Sequence, residues 1–182
     1  MQLSSEQLLP VSQAIAWQAL NDIEILKISI PGCESISPTA QDEYEVALTT
    51  AIGPVKAKFK GKMRLSQIDP PNAYVINFEG QGGAAGHGKG EAQVRLEAVS
   101  ASETRLVYSA SAQVGGKIAQ IGSRLVDMAA QKMATDFFSA FNAHLAERYA
   151  AATPAPAVLD EAPPAASLWA RLVARLKALF GT

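Results

Sequence analysis

The segment from Gly80 to Gly90 (GQGGAAGHGKG) is where this sequence comes closest to a chemical motif. Gly83 to Lys89 fits G-x-x-x-x-G-K, the spacing by which backbone amides and a lysine cradle the phosphates of a nucleotide. Such a loop needs Ser or Thr next, to hold magnesium, and the next residue is Gly90. It must also open a helix whose N-terminus receives the anion, whereas this segment runs into an alternating strand. A dinucleotide fingerprint fails as well, because its third glycine falls on Ala85. His87 reads as a surface-loop residue among these glycines, with approach to a ligand as the alternative. His144 lies far along the chain, and two separated histidines without a carboxylate cluster make a poor metal site. Cys33 is the single cysteine, so it forms no internal disulfide and supplies no cluster; it reads as a small packed residue. Asp22 and Glu24 could run acid–base chemistry at a cavity mouth, but the start of a helix explains them better.

Gln2 to Leu9 reads as a strand, Ser12 as the N-cap of a helix over Gln13 to Leu20, and Asp22 to Ile28 as a second short helix. That helix must stop before Pro31, since the residue preceding proline avoids the α region. Tyr44, Val46 and Leu48 alternate with Glu43, Glu45 and Thr49. From Val55 the alternation is strict: Val55, Ala57, Phe59, Gly61, Met63 and Leu65 against Lys56, Lys58, Lys60, Lys62 and Arg64. Period-2 segregation of this kind buries one sheet face and wets the other. Tyr74, Ile76 and Phe78, then Val94 and Leu96, then Leu106, Tyr108, Ala110, Ala112 and Val114 continue the pattern. After Gly115-Gly116 the period becomes helical through Ala150, and Ile118, Ile121, Leu125, Met128, Met133, Phe137, Phe141 and Leu145 fall near one face. The class is therefore α+β, an antiparallel sheet curved around one long helix.

If Val94 and Leu96 face inward, period 2 turns Ala92, Gly90, Gly88 and Gly86 inward as well. Gly61, Ala110 and Ala112 are small residues at neighbouring inward positions. Two readings of this missing volume stand side by side: a tight bend where sheet and helix approach closely, or a ligand cavity. The cavity would be lined by Phe59, Met63, Tyr74, Phe78, Tyr108, Leu125, Met128 and Met133. These positions hold no acid–base pair, so the site would bind a hydrophobic small molecule and not catalyse.

The chain has 182 residues, 48% of them hydrophobic and 18% charged, with a net charge of −1. That is enough for one domain with a core, and it excludes a disordered chain. A basic nucleic-acid binder is excluded too; the one cationic row, Lys56 to Arg64, has no outward aromatics on which bases could stack. The row reads as a solvated face paired with Glu43, Glu45 and Glu79, or else as a dock for an acidic partner or anionic lipid. No apolar run approaches the roughly 20 residues of a membrane span, and MQLSSEQLLP lacks the basic and apolar regions of a signal peptide. A cytoplasmic location is expected.

Composition changes near residue 150. Residues 1–150 form the expected domain, and 151–166 (AATPAPAVLDEAPPAA) a linker whose four prolines exclude a helix or central strand. Residues 167–182 (SLWARLVARLKALFGT) form a second periodic segment. Leu168, Trp169, Leu172, Val173, Leu176, Leu179 and Phe180 fill one arc of about 140°. Arg171, Arg175 and Lys177 lie outside it, the pattern of a helix lying in a membrane surface. Each fully buried apolar side chain would contribute roughly 1.5–3 kcal/mol, each cation near anionic lipid about 1 kcal/mol, and helix ordering subtracts from both. Reversible peripheral attachment is the expectation; docking of the helix on a protein surface is the alternative.

Three motifs in order resemble the G-subunit family of carbon monoxide dehydrogenase, of the START-like helix-grip superfamily. They are Pro31-Gly32-Cys33-Glu34-Ser35-Ile36, the Gly86 to Gly90 segment leading into Ala92 and Val94, and Val114-Gly115-Gly116-Lys117-Ile118-Ala119-Gln120-Ile121-Gly122. The resemblance implies a seven-stranded sheet gripping a long C-terminal helix, with an apolar cavity. It also implies a non-catalytic accessory role that couples a molybdenum hydroxylase-type dehydrogenase to the inner face of the cytoplasmic membrane. The lone cysteine agrees, since this chain has no thiolate set for iron–sulfur clusters. Members of the superfamily include cyclases and lipid carriers, so a lipid-transfer or cyclase-type protein using the same cavity is the rival reading. Cavity and anchor together point to a quinone or another isoprenoid lipid as ligand, with no tightly bound cofactor. Removing residues 167–182 is expected to abolish co-sedimentation with anionic liposomes; binding unchanged by the truncation would eliminate the anchor.

Overall fold

The computed structural model describes residues 1–149. The linker and the amphipathic helix read from the sequence lie outside the described residues. Seven strands form one antiparallel sheet in the order β1-β7-β6-β5-β4-β3-β2. They are β1 (Gln2–Leu9), β2 (Cys33–Ala40), β3 (Glu43–Ile52), β4 (Val55–Asp69), β5 (Ala73–Gln81), β6 (His87–Ser100) and β7 (Glu103–Gly115). Two short helices, α1 (Gln13–Leu20) and α2 (Ile23–Ser29), follow β1. After β7 come a one-turn helix, α3 (Lys117–Gln120), and the long helix α4 (Ser123–Tyr149).

Local chemistry explains most of these boundaries. Asp22 is the N-cap of α2: its Oδ1 accepts from the amides of Glu24 at 2.9 Å and Ile25 at 3.3 Å. Its Oδ2 accepts from Arg148 at 3.0 Å, which ties the end of α4 to the start of α2. Asp22 and Glu24 therefore begin a helix, as read. Ser12 takes the N-cap position of α1 with extended backbone, but its side chain makes no capping bond. Strand β2 carries a single buried residue, Ile36, and no hydrophobic alternation; its pairing with β3 defines it.

The long helix does not run unbroken from Gly116. Gly122 has φ +94°, a left-handed conformation that interrupts it and lets α4 start afresh at Ser123. Within α4, Leu125 and Met128 stand about 140–160° round the helix from Phe141, so the phase that buries Phe141 turns both of them outward. The buried residues of α4 are Val126, Phe138, Phe141 and Leu145, whereas Leu125 is 42% and Met128 56% exposed.

The core divides into two clusters. The larger joins Leu9, Val11, Ala16, Ala19, Leu20 and Ile25 to Tyr74, Val94, Leu96 and Leu106 and to Phe138, Phe141 and Leu145. Thr104 is buried beside it and donates to the Val11 carbonyl at 2.8 Å, so its hydroxyl is satisfied. The smaller gathers Ala85, Ile118 and Val126, with Phe59, Val55, Ile52, Val114 and Met1 around them. Phe141→Ala should cost about 3–5 kcal/mol, the price of a large buried ring. Leu125→Ala should change stability by less than about 0.5 kcal/mol. Urea unfolding of the two variants checks the difference; equal losses would contradict the outward placement of Leu125.

Candidate ligand site

A cavity of about 220 Å³ lies between α2, the inward face of the sheet and α4. Ile23, Leu26 and Ile30 face it from α2 and the residue after it. Met63, Leu65, Tyr74, Ile76, Ala92 and Val94 face it from the sheet, and Phe137 and Phe138 from α4. Aromatic contacts set the walls: Tyr108 lies 5.2 Å from Phe138 between ring centroids, and Phe137 stacks on Phe141 at 5.5 Å. Behind the cavity, Trp17 meets Tyr74 edge-on at 5.5 Å.

Of the twelve residues proposed from the sequence, Met63, Tyr74 and Tyr108 line this cavity. Phe59 belongs to the smaller core cluster. Gly61 and Gly90 do face inward, yet they serve the bend. A Cβ on Gly61 would sit 2.7 Å from the Glu79 carbonyl oxygen, and one on Gly90 2.7 Å from the ring of Phe78. Glycine at these two positions lets neighbouring strands and Phe78 close in. Gly88 tolerates a Cβ at ordinary contact distance, 3.6 Å from Val114. Gly86 is not a strand position, because it ends the Gly83–Ala85 turn before β6 begins. Met133 is partly exposed and lies outside the cavity wall. Leu125 and Met128 face solvent, for the helical-phase reason given above.

The sequence reading placed a helix over Asp22 to Ile28 but not its part in the cavity wall. Ile23, Leu26 and Ile30 recur at i, i+3 and i+7, the spacing of one helical face, and that signal was available. Chemistry in the cavity is restricted to phenols and one amide, from Tyr44, Tyr74, Tyr108 and Asn21. Burial pushes the Tyr74 phenol far above the usual tyrosine range, and it pushes Tyr108 up too, opposed by a hydrogen bond with Ser5. Both are proton donors, not bases. Asp127 Oδ1 is enclosed without a hydrogen-bond partner, but Asp127 does not line the cavity.

The remaining candidates are structural or peripheral. His87 is the exposed first residue of β6, its ring lying over Gly115. The His144 Nδ1 is 4.0 Å from Glu147 on the same helix. Among the described residues, no three His, Cys, Asp or Glu side chains come together as metal ligands would. Cys33 is half-buried; burial raises its thiol pKa, and nearby Lys27 opposes that shift. On the outer sheet face, Arg64 pairs with Glu43 at 3.7 Å and Lys58 with Glu34 at 2.5 Å. Lys62 stands between Glu45 and Glu79 in register. An open depression of about 1040 Å³ crosses this face, but charged walls such as Lys62, Glu79 and Lys89 make it a solvated trough.

Residues 8–146 match the CoxG family, described as the G subunit of carbon monoxide dehydrogenase. The crystal structure of a conserved protein from Geobacillus kaustophilus is 31% identical, with a TM-score of 0.77, over 81% of this chain and 96% of that one. A START superfamily protein from Mycobacterium smegmatis is 12% identical with a TM-score of 0.63, over 81% and 98%. The ZhuI aromatase/cyclase from Streptomyces is 17% identical with a TM-score of 0.59, over 82% and 95%. These last two share the START-like helix-grip fold with this chain. No curated protein matches the sequence.

Because the native state holds Tyr74 and Tyr108 as neutral phenols, their ionisation opposes folding. Their effect on stability is absent below the ordinary tyrosine range near pH 10. Above it the unfolded chain releases protons that the native state keeps, and stability falls as pH rises. Alkaline spectrophotometric titration should show a late-ionising tyrosine that Tyr74→Phe removes; four tyrosines titrating together in the folded protein would contradict the buried wall.

Proposed function

The chain belongs to the CoxG family of carbon monoxide dehydrogenase, and we propose that it is a non-catalytic accessory protein that holds a hydrophobic ligand and brings a molybdenum-containing dehydrogenase to the inner face of the cytoplasmic membrane. The observation that carries the ligand part is the cavity, whose walls are aliphatic and aromatic. General acid–base catalysis needs a positioned proton acceptor; the cavity's polar groups are phenols and one amide, and burial keeps Tyr74 and Tyr108 protonated. The arrangement suits binding.

Isoprenoid quinone is the ligand class that joins cavity to membrane. A reduced hydroxylase must pass its electrons on, and a lipid-soluble acceptor resides in the bilayer to which the cationic 167–182 segment would attach. At about 220 Å³ the cavity is smaller than the ~300–1,000 Å³ that encloses a whole drug-sized ligand. It would take the ring, with its polar oxygens near the tyrosine hydroxyls. The tail would leave along the inward face of β3 and β4, where Val46, Leu48, Phe59 and Gly61 remain partly exposed. The dehydrogenase part rests on family membership.

Lipid extracted from the purified full-length protein is expected to contain an isoprenoid quinone. Ala92→Phe, which places a ring in the cavity, should reduce the bound amount roughly tenfold, equivalent to about 1.4 kcal/mol, with the fold intact. Extracts without quinone, and no uptake on addition, would overturn the quinone reading. A pull-down from the native host that brings no hydroxylase components would overturn the accessory role.

A further inference from the structure

The two ends of the sheet differ in charge. At one end lie three connections: the β3–β4 hairpin around Gly53, the Gln81–His87 link from β5 to β6, and the passage from β7 through α3 into α4. The sequence through them, 46–68, 80–90 and 104–126, contains no Asp or Glu. Lys56, Lys117 and Arg124 project there, and among the described residues none of the three is held in an ion pair. At the other end each connection has an acid in it or at its edge: Asp42 between β2 and β3, Asp69 at the end of β4 and Glu103 at the start of β7.

Exposed large apolar side chains occur at both ends, Leu8, Ile68 and Val99 at the acidic one, and at the acid-free end they stand beside cations unpaired among the described residues. Leu125 and Met128, 42% and 56% exposed, are neighbours on the first turns of α4; the first acid after this stretch, Asp127, stands between them in sequence, partly buried with Oδ1 enclosed. The hairpin tip reaches them: a Cβ on Gly53 would lie 3.6 Å from Ile121 Cδ1 and 3.7 Å from Leu125 Cδ1. Ile52, Val55 and Ile121, all partly exposed, pack beside them on the smaller core cluster.

We propose that this end of the domain seats itself in an anionic lipid surface, with Leu125, Met128 and the hairpin tip at headgroup depth and Lys56, Lys117 and Arg124 on the phosphates. The inference rests on the membrane attachment proposed above and deepens it by orienting the domain. Apolar side chains at the tip of a cationic surface match the layering of headgroup over acyl boundary, with cations reaching outward along their stems. The match to lipid lies in charge of one sign at two separate connections, the β3–β4 hairpin and the passage from β7 into α4, with an uncharged glycine-rich link between them, which suits a continuous anionic plane. Strand β4, at 15 residues and about 3.3 Å per residue, separates the two ends by several times the ~8–10 Å screening length. The acidic connections would therefore stand clear of the repelling surface.

The test uses the full chain with Cys33→Ser and a polarity-sensitive fluorophore on Met128→Cys. In a control the fluorophore sits on Val99→Cys, a position 48% exposed near the acidic end. Vesicles of phosphatidylglycerol and phosphatidylethanolamine should shift the probe at 128 to the blue and shield it from iodide, while the probe at 99 stays aqueous. Leu125→Ser with Met128→Ser should weaken vesicle binding several-fold without altering the melting curve. Co-sedimentation with both probes aqueous, or with equal shifts at both, would overturn the orientation and leave tail attachment standing. Failure to bind vesicles at all would overturn the membrane reading itself.

Discussion

Helix α4 is gripped at two points along its length, and the domain has an interior because the grip is not continuous. Near its C-terminal end Phe138, Phe141 and Leu145 meet Leu9, Leu96 and Leu106; near its start Val126 meets Ile118 and Ala85. The helical stripe joining those points carries Ala130 and Ala134, both partly exposed. Opposite stand Ala92, Ala110 and Ala112. Close packing at both anchors fixes the distance between helix and sheet, and small residues between them cannot fill the gap so defined. Helix α2 closes the remaining side, anchored through Ile25 in the larger cluster and through Asp22 to Arg148. The cavity is a consequence of where bulk is absent.

Sheet curvature supports that arrangement from behind. Gly61 and Gly90 permit close approaches that a side chain would forbid, and the strands bend around the helix as a result. Outside, acids and bases oppose one another across strands: Glu45 and Glu79 flank Lys62, and Glu79 faces Lys89. Pairs this exposed contribute little stability individually. They keep the outer face wet, and the unbalanced charge collects at the acid-free end.

Much of the fold was legible because period-2 alternation is long and unbroken in β4, and similar signals mark β3, β5, β6 and β7. Strand β2 was not, since Ile36 is its one buried residue and its identity as a strand comes from pairing. The site was less legible than the fold. Leu125 and Met128 lie about 140–160° round α4 from Phe141 at 100° per residue, so a stripe that includes both ends of the helix is too wide to be one face, and burial of Phe141 and Leu145 turns Leu125 and Met128 outward. The glycine column marked missing volume correctly in one sense: it shapes the sheet. Which residues border the resulting space depends on how α2 folds back, a long-range contact that no local pattern reports.

A hollow apolar interior that accepts a ring is open to direct view through Trp17. Trp17 touches Tyr74, and Tyr74 is a wall of the cavity. With Trp169→Phe, Trp17 becomes the sole tryptophan. Titration with a short-chain naphthoquinone is then predicted to quench its fluorescence saturably, reaching a plateau at one equivalent. Quenching that rises linearly without a plateau, and equally after Ala92→Phe, would mean that the ring never enters, and would contradict the account.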